Sequence, residues 1–200
     1  MKLEGEMAMN NKIVLAIGAH YDDVEIGCGG SLVWHQTVGD IIYIAILNSD
    51  DKISGEVEIR KKEATEAAAH LTADLFSFAS SMSCSDKVGA LDKFSPDLVY
   101  CPFEEDTHQD HIAAAGIARS VARRDQISLL QYLMPTSCNY YPTVFRPIDL
   151  RRKAKLVLFH QSQIKRRPDI ITRMVRQNKY FGSLIGKDAA EGFVARRLIL

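Results

Sequence analysis

Two short stretches of the chain concentrate the side chains able to bind a metal ion and to move protons. They are Gly18-Ala19-His20-Tyr21-Asp22-Asp23-Val24-Glu25 and Asp106-Thr107-His108-Gln109-Asp110-His111. His20 and Asp23, three residues apart across a turn, could clamp a divalent ion, with one histidine of the second stretch as third ligand. Two imidazoles and one carboxylate leave a coordination position for water, which is the pattern of a catalytic rather than a structural zinc site. The same set suits non-haem iron(II), so ligand type alone does not fix the metal. Neighbouring side chains in an Asp-Asp pair point different ways. If Asp23 takes the metal, Asp22 stands beside the bound water as a base. The competing reading of this pair is helix capping, for which Asp in a turn is well suited.

The elements that would position these groups are legible on either side. Lys12-Ile13-Val14-Leu15-Ala16-Ile17-Gly18 has the continuous branched-aliphatic character of a strand buried on both faces, and Asp97-Leu98-Val99-Tyr100-Cys101-Pro102-Phe103 has a similar shape. In open α/β sheets ligands bind beyond the carboxyl ends of such strands. Both clusters occupy that position, and they converge if the two strands are neighbours. Asp40–Leu47 reads as another buried strand, Asp74–Phe78 as a short one and Gln126–Met134 as a further one. Helices are expected over Glu56–Leu71, Val88–Phe94, Ile112–Arg124, Asp149–Phe159 and Arg166–Tyr180. Alternation of strands and helices predicts a single Rossmann-like, doubly wound α/β domain with a mainly parallel sheet, in which the first and fourth strands lie side by side.

The segment Ala19-His20-Tyr21-Asp22-Asp23-Val24-Glu25 resembles the Ala-His-Pro-Asp-Asp-x-Glu signature of the LmbE-like, or PIG-L, family of zinc-dependent N-acetylsugar deacetylases. His108-Gln109-Asp110-His111 is similar to that family's His-x-Asp-His signature. Two weaker matches follow in order: Lys153-Ala154-Lys155 through His160-Gln161-Ser162-Gln163, and Ala190-Glu191-Gly192-Phe193. By position, the resemblance implies that His20, Asp23 and His111 hold the metal and that Asp22 is the general base. It further implies that His108 stabilises the oxyanion or protonates the leaving amine, that Asp110 orients and tunes His108, and that Arg60 of Arg60-Lys61-Lys62-Glu63 contacts substrate. The expected cofactor is Zn2+, with Fe2+ as the other candidate. Tyr21 departs from the family's proline, so the turn loses a fixed φ and gains a phenol. Asn48-Ser49-Asp50-Asp51 and Gly192 also depart from the usual pattern, which points to a different substrate pocket.

Composition bounds the rest. Two hundred residues with 46% hydrophobic content suffice for one domain with a sizeable core, expected over residues 12–200 after a flexible segment at 1–11. Cys28, Cys84, Cys101 and Cys138 are widely spaced, which fits reduced thiols and a cytoplasmic location better than a disulfide framework. No signal-peptide pattern opens the chain, and no apolar run is long enough for a membrane span. Ile26-Gly27-Cys28-Gly29-Gly30-Ser31 is expected to open a helix. Its glycines match neither the dinucleotide fingerprint nor the P-loop and read as close backbone packing. The stretch Pro135–Pro147 is expected to be irregular and to wall the substrate site, and Glu191 and Phe193 to lie in a short tail.

Net charge is zero, but acidic residues dominate residues 1–100 and basic residues 101–200. A basic half favours a phosphate-bearing sugar, although solvated helix faces account for such charge equally well. No zinc-finger spacing or aromatic-basic RNA motif accompanies it, which disfavours nucleic acid as a partner. The expected activity is hydrolysis of an N-acetylglucosamine-type sugar or conjugate by metal-activated water, releasing acetate and an amine. An amidase of another N-acyl or thiol-sugar conjugate and a non-catalytic sugar-binding module are the alternatives. Assembly into a homo-oligomer stays open.

Overall fold

A computed structural model describes residues 11–52, 56–123 and 126–199. The expected leading segment thus lies, except for Asn11, outside the described residues, as does Arg124 at the expected end of one helix. Five parallel strands form the body of the sheet: β1 (Ile13–Gly18), β2 (Ile41–Ile46), β3 (Asp74–Ser77), β4 (Leu98–Pro102) and β5 (Ser128–Tyr132). Two antiparallel strands extend it, β6 (Val144–Pro147) and β7 (Ala190–Arg197), giving the order β3-β2-β1-β4-β5-β7-β6. Strands β1 and β4 are neighbours, as the doubly wound reading requires.

Helices cover both faces, because the central strands are apolar on both. Along β1, Val14 and Ala16 enter one core with Leu32 and Ala64, whereas Leu15 and Ile17 enter the other with Ala114 and Ala118. The first core lies under α1 (Asp23–Val38) and α2 (Val57–His70), and the second under α4 (Gln109–Val121). A shorter helix, α3 (Cys84–Leu91), begins four residues before the expected start. Ser83 caps it by accepting the Asp86 amide, so serines that read as loop are a helix entry.

Three helices replace the two expected near the C-terminus: α5 (Leu150–Val157), α6 (Gln161–Arg166) and α7 (Ile170–Leu184). Two further expectations need correction. The stretch expected to be irregular contains β6, and the expected tail is the eight-residue strand β7, inserted between β5 and β6. Pairing between distant segments decides both, and a local pattern does not report it.

Helix α1 also starts earlier than expected, at Asp23, so the glycines lie inside it. A β-carbon on Gly27 would sit 2.1 Å from the Tyr132 ring, and one on Gly30 would sit 2.8 Å from Ile148. The glycines therefore serve close helix–sheet packing. Tyr132 cannot move away readily, because its buried hydroxyl donates to the Ile17 carbonyl at 2.7 Å.

Beside this contact, Glu191 of β7 accepts the Gly30 and Ser31 amides (2.8 and 2.7 Å) and the Ser31 hydroxyl. Lys153 of α5 lies 2.6 Å from the same carboxylate, and both side chains are buried. Removing the ammonium would leave a charged carboxylate with no cation in the core. Lys153→Met is expected to lower stability by about 3–5 kcal/mol in urea unfolding. Adding Glu191→Gln should recover part of that loss, and additive losses would show that the ion pair is not the cause.

Candidate metal centre and active site

The two clusters meet at the carboxyl ends of β1 and β4. His20, Asp23 and His111 are buried, and each offers one ligand atom such that all three atoms lie within 4.8 Å of one another. The Asp23 carboxylate is divided between two tasks. Oδ2 accepts the Ala19 and His20 amides at 2.9 and 2.8 Å, which pins the turn after β1. Oδ1 is left facing His111, 3.6 Å from Nε2.

Each imidazole has one nitrogen held by a further carboxylate. His111 Nδ1 meets Asp106 Oδ2 at 3.1 Å, and His20 Nε2 meets Asp110 Oδ2 at 2.9 Å. The other nitrogens, His111 Nε2 and His20 Nδ1, are the ones that face Asp23. Carboxylates that fix the tautomer and tilt of ligand imidazoles are the usual outer shell of a metal site. The donor set therefore fits a divalent ion, and its mix of nitrogen and oxygen suits zinc or iron(II).

Asp106 is not among the residues that the sequence singles out, although it opens the second cluster. Besides His111 it accepts the His108 amide at 2.8 Å and the Ser137 hydroxyl at 3.0 Å. Asp110 also sits differently from its expected place. Its carboxylate, 4.0 Å from His108 Nδ1, bonds to His20 and accepts Asn48 Nδ2 at 2.8 Å. Its backbone amide serves His108, donating to Nδ1 at 3.3 Å as His108 caps α4. In this geometry the Asp110 carboxylate reaches both imidazoles, bonding to His20 and standing at the edge of ion-pair distance from His108.

Asp22 has partners other than those of Asp23. It makes no capping bond, and its backbone is left-handed at φ 106°, an uncommon state for a residue with a β-carbon. Arg60 of α2 holds it in place. One guanidinium nitrogen donates to the Tyr21 carbonyl at 2.8 Å and lies 3.4 Å from Asp22 Oδ1, while the other lies 3.5 Å from Asp51. Tyr21 accommodates the loss of proline by burying its ring and donating its hydroxyl to Ser77 at 3.0 Å.

Close packing of acids and imidazoles shifts Asp22, Asp23 and His111 in different directions. Burial, reinforced by the neighbouring Asp23 charge, raises the Asp22 carboxyl to about 6 against the pull of His160 and Arg60. Burial would also raise Asp23, but His111 and His20 outweigh it and hold that carboxyl well below the ordinary range. Desolvation disfavours a proton on His111, yet Asp23 and Asp106 overcome it and lift the imidazole to about 9. A cation is thus favoured at the centre of the cluster, and a metal ion would take the place of protons there.

His20, Asp22, Asp23, Arg60, His108 and His111 all line one cavity of about 80 Å³. Asp110 does not line it. The stretch expected to wall the site contributes Pro135 and Thr136, whereas Tyr140 is structural, its hydroxyl 2.9 and 2.6 Å from the Gln131 and Gly192 carbonyls. The weaker sequence matches lie around the site, and Gln163 of the first lines the cavity itself. Glu63 accepts the Ser162 amide and hydroxyl at 2.7 and 2.6 Å, tying α2 to α6, and His160 lies 3.3 Å from Glu25.

Residues 15–122, which carry both clusters, match the PIG-L family, described as GlcNAc-PI de-N-acetylase. The chain belongs to this family. A relative in Escherichia coli K12, YaiS, named as an uncharacterised deacetylase, is 30% identical over 158 residues, covering 70% of this chain and 84% of that protein. A conserved protein of Thermus thermophilus, TT1542, superposes with a TM-score of 0.80 at 25% identity, over 94% of this chain and 95% of its own. The N,N'-diacetylchitobiose deacetylase of Pyrococcus horikoshii superposes with a TM-score of 0.78 at 20% identity, covering 93% and 84% of the two chains. At 18% identity and the same TM-score of 0.78, the 4-carboxy-2-hydroxymuconate hydratase of Pseudomonas putida shares the fold over 94% of this chain and 98% of its own. These last two likenesses establish the fold alone, and function must be argued from the site.

Proposed function

We propose that this chain is a metal-dependent hydrolase that removes the N-acetyl group from an N-acetylglucosamine-type sugar or sugar conjugate, releasing acetate and a free amine. The observation that carries the reading is the buried His20-Asp23-His111 set, with Asp22, Arg60 and His108 on the same small cavity. A metal held by the three ligands would supply Lewis acidity and a water acidic enough to attack at neutral pH. Zinc is the proposed ion and iron(II) the alternative.

The residues around the ligands supply the remaining steps. Asp22, free of capping duty, takes the proton of the attacking water, and Arg60 keeps its carboxylate turned into the cavity. His108 receives the Asp110 amide on Nδ1, which leaves Nε2 to carry the hydrogen that stabilises the oxyanion of the tetrahedral adduct. A proton is then delivered to the departing amine nitrogen, the C–N bond breaks, and acetate remains. Asp110 acts one step back, by holding His20 and by fixing His108 through its amide. The domain is proposed to span residues 12–200. All four cysteines are free thiols, in keeping with the cytoplasm as the proposed compartment. No helix among the described residues is long and apolar enough to cross a membrane.

Protein reconstituted with zinc or iron(II) should release acetate and amine in equal amounts from N-acetylglucosamine conjugates. A chelator should abolish release, and the ion should restore it. If no N-acetyl or other N-acyl sugar in a panel yields amine from the metal-loaded protein, the hydrolase reading is wrong.

A further inference from the structure

The metal cluster occupies the carboxyl ends of the strands, and a larger cavity, of about 320 Å³, lies at their opposite, amino ends. Leu98 at the start of β4 and Leu130 of β5 form its buried floor, with half-buried Val144 of β6 beside them. Trp34 of α1 and the last described residues, Leu198 and Ile199, form an exposed apolar rim.

The polar groups of the wall are of two kinds. Most are engaged with one another. Asp40 accepts the Lys12 amide at 2.9 Å and meets His35 Nδ1 at 2.6 Å, His35 Nε2 meets the buried Tyr100 hydroxyl at 3.1 Å, and the Ser128 hydroxyl accepts the Ile199 amide at 3.0 Å. Such a wall offers a sugar little to bond to. The side chains of Arg146 and Lys12 differ, because no carboxylate among the described residues lies within ion-pair distance of either. Glu191, opposite Arg146 in the β6–β7 register, is held by Lys153. Arg146 is also fixed in place, its guanidinium carbon 3.9 Å from the centre of the Trp34 ring. Two cations therefore stand against the single Asp40 carboxylate, over an aliphatic floor.

We propose that this cavity binds a free medium-chain fatty acid, its carboxylate on Arg146 and Lys12 and its chain along Leu98, Leu130 and Val144. A guanidinium fork matches the two oxygens of a carboxylate, and the branched aliphatic floor takes an alkyl chain out of water. The space falls at the lower end of small-molecule pockets, roughly 300–1,000 Å³. It shares no lining residue with the metal cavity, so the inference stands apart from the deacetylase reading.

Trp34 is the chain's one tryptophan, so its fluorescence reports on this cavity. Octanoate should bind, by calorimetry and by a change in Trp34 emission, about tenfold more tightly than 1-octanol or octylamine. Shortening the acid to hexanoate and butyrate should weaken binding about fourfold for each methylene lost. Arg146→Gln should bring octanoate to within about twofold of 1-octanol, and Arg146→Lys should keep part of the difference, with circular dichroism as the check on folding. Octanoate should still bind after chelator treatment. Binding that the chelator removes would place the carboxylate on a metal ion and overturn the proposal. Equal binding of the three eight-carbon compounds, or a preference for octanoate that survives Arg146→Gln, would overturn it as well. A Trp34 response to anionic phospholipid vesicles or to protein concentration, with none to octanoate, would make a membrane or a second copy the occupant instead.

Discussion

Replacing Asp22 with asparagine is expected to lower kcat for amine release by about 10²–10⁴-fold, the usual worth of a general base, with metal content unchanged. Asparagine is the informative substitution here because the backbone at this position is left-handed, at φ 106°. Asn tolerates that region better than most residues, so the variant removes the negative charge and the proton acceptor without adding backbone strain. Because Asp22 stands outside the ligand set, elemental analysis of the variant should still find about one equivalent of metal. Wild-type turnover by this variant on a confirmed substrate would show that another group takes the proton.

The second large effect is expected at His111. Alanine here removes one of the three proposed ligands and leaves Asp23 and Asp106 without the imidazole that faces both. Metal content should fall from about one equivalent to nearly none, and turnover to below about a thousandth of wild type, because the water is no longer acidified. Asp106→Asn should act in the same direction but more weakly, with about 10–100-fold lower metal affinity, since it only orients the ligand. Mass spectrometry of the metal in both variants, with circular dichroism as the check on folding, separates a ligand from its support. A His111→Ala protein that is folded and retains a full equivalent of metal would remove His111 from the site.

Much of this was legible in residue order. Branched-aliphatic runs at 12–18 and 97–103 have the pattern of strands buried on both faces, and each carries its cluster to the same end of the sheet. Asp22 and Asp23, adjacent in the chain, have different partners, Arg60 for the first and the turn amides for the second. Helix α1 shows where local reasoning stops. Its glycines depress helix propensity and push the expected start downstream. The folded chain runs the helix through them, and Tyr132 and Ile148 leave no space for a β-carbon at Gly27 and Gly30. Strand β7 escapes a local reading for a related reason. Glu191 and Gly192 spoil its pattern, but Glu191 is satisfied by α1 and Lys153, and Gly192 lies against Pro142 and Phe181.

The sequence by itself determined the chemistry on offer: which side chains could bind a metal, which acid stood beside them, and that strand ends would present them together. Tertiary structure alone decided which carboxylate steadies which imidazole. Asp106 serves His111 and Asp110 serves His20, although Asp110 lies two residues from His108 in the chain. Those pairings depend on how α4 leaves β4 and on where Asn48 at the end of β2 meets it, and such contacts join residues 62 and 90 positions apart. Short-range spacing fixes the types of group that can meet, whereas long-range packing fixes which atoms do.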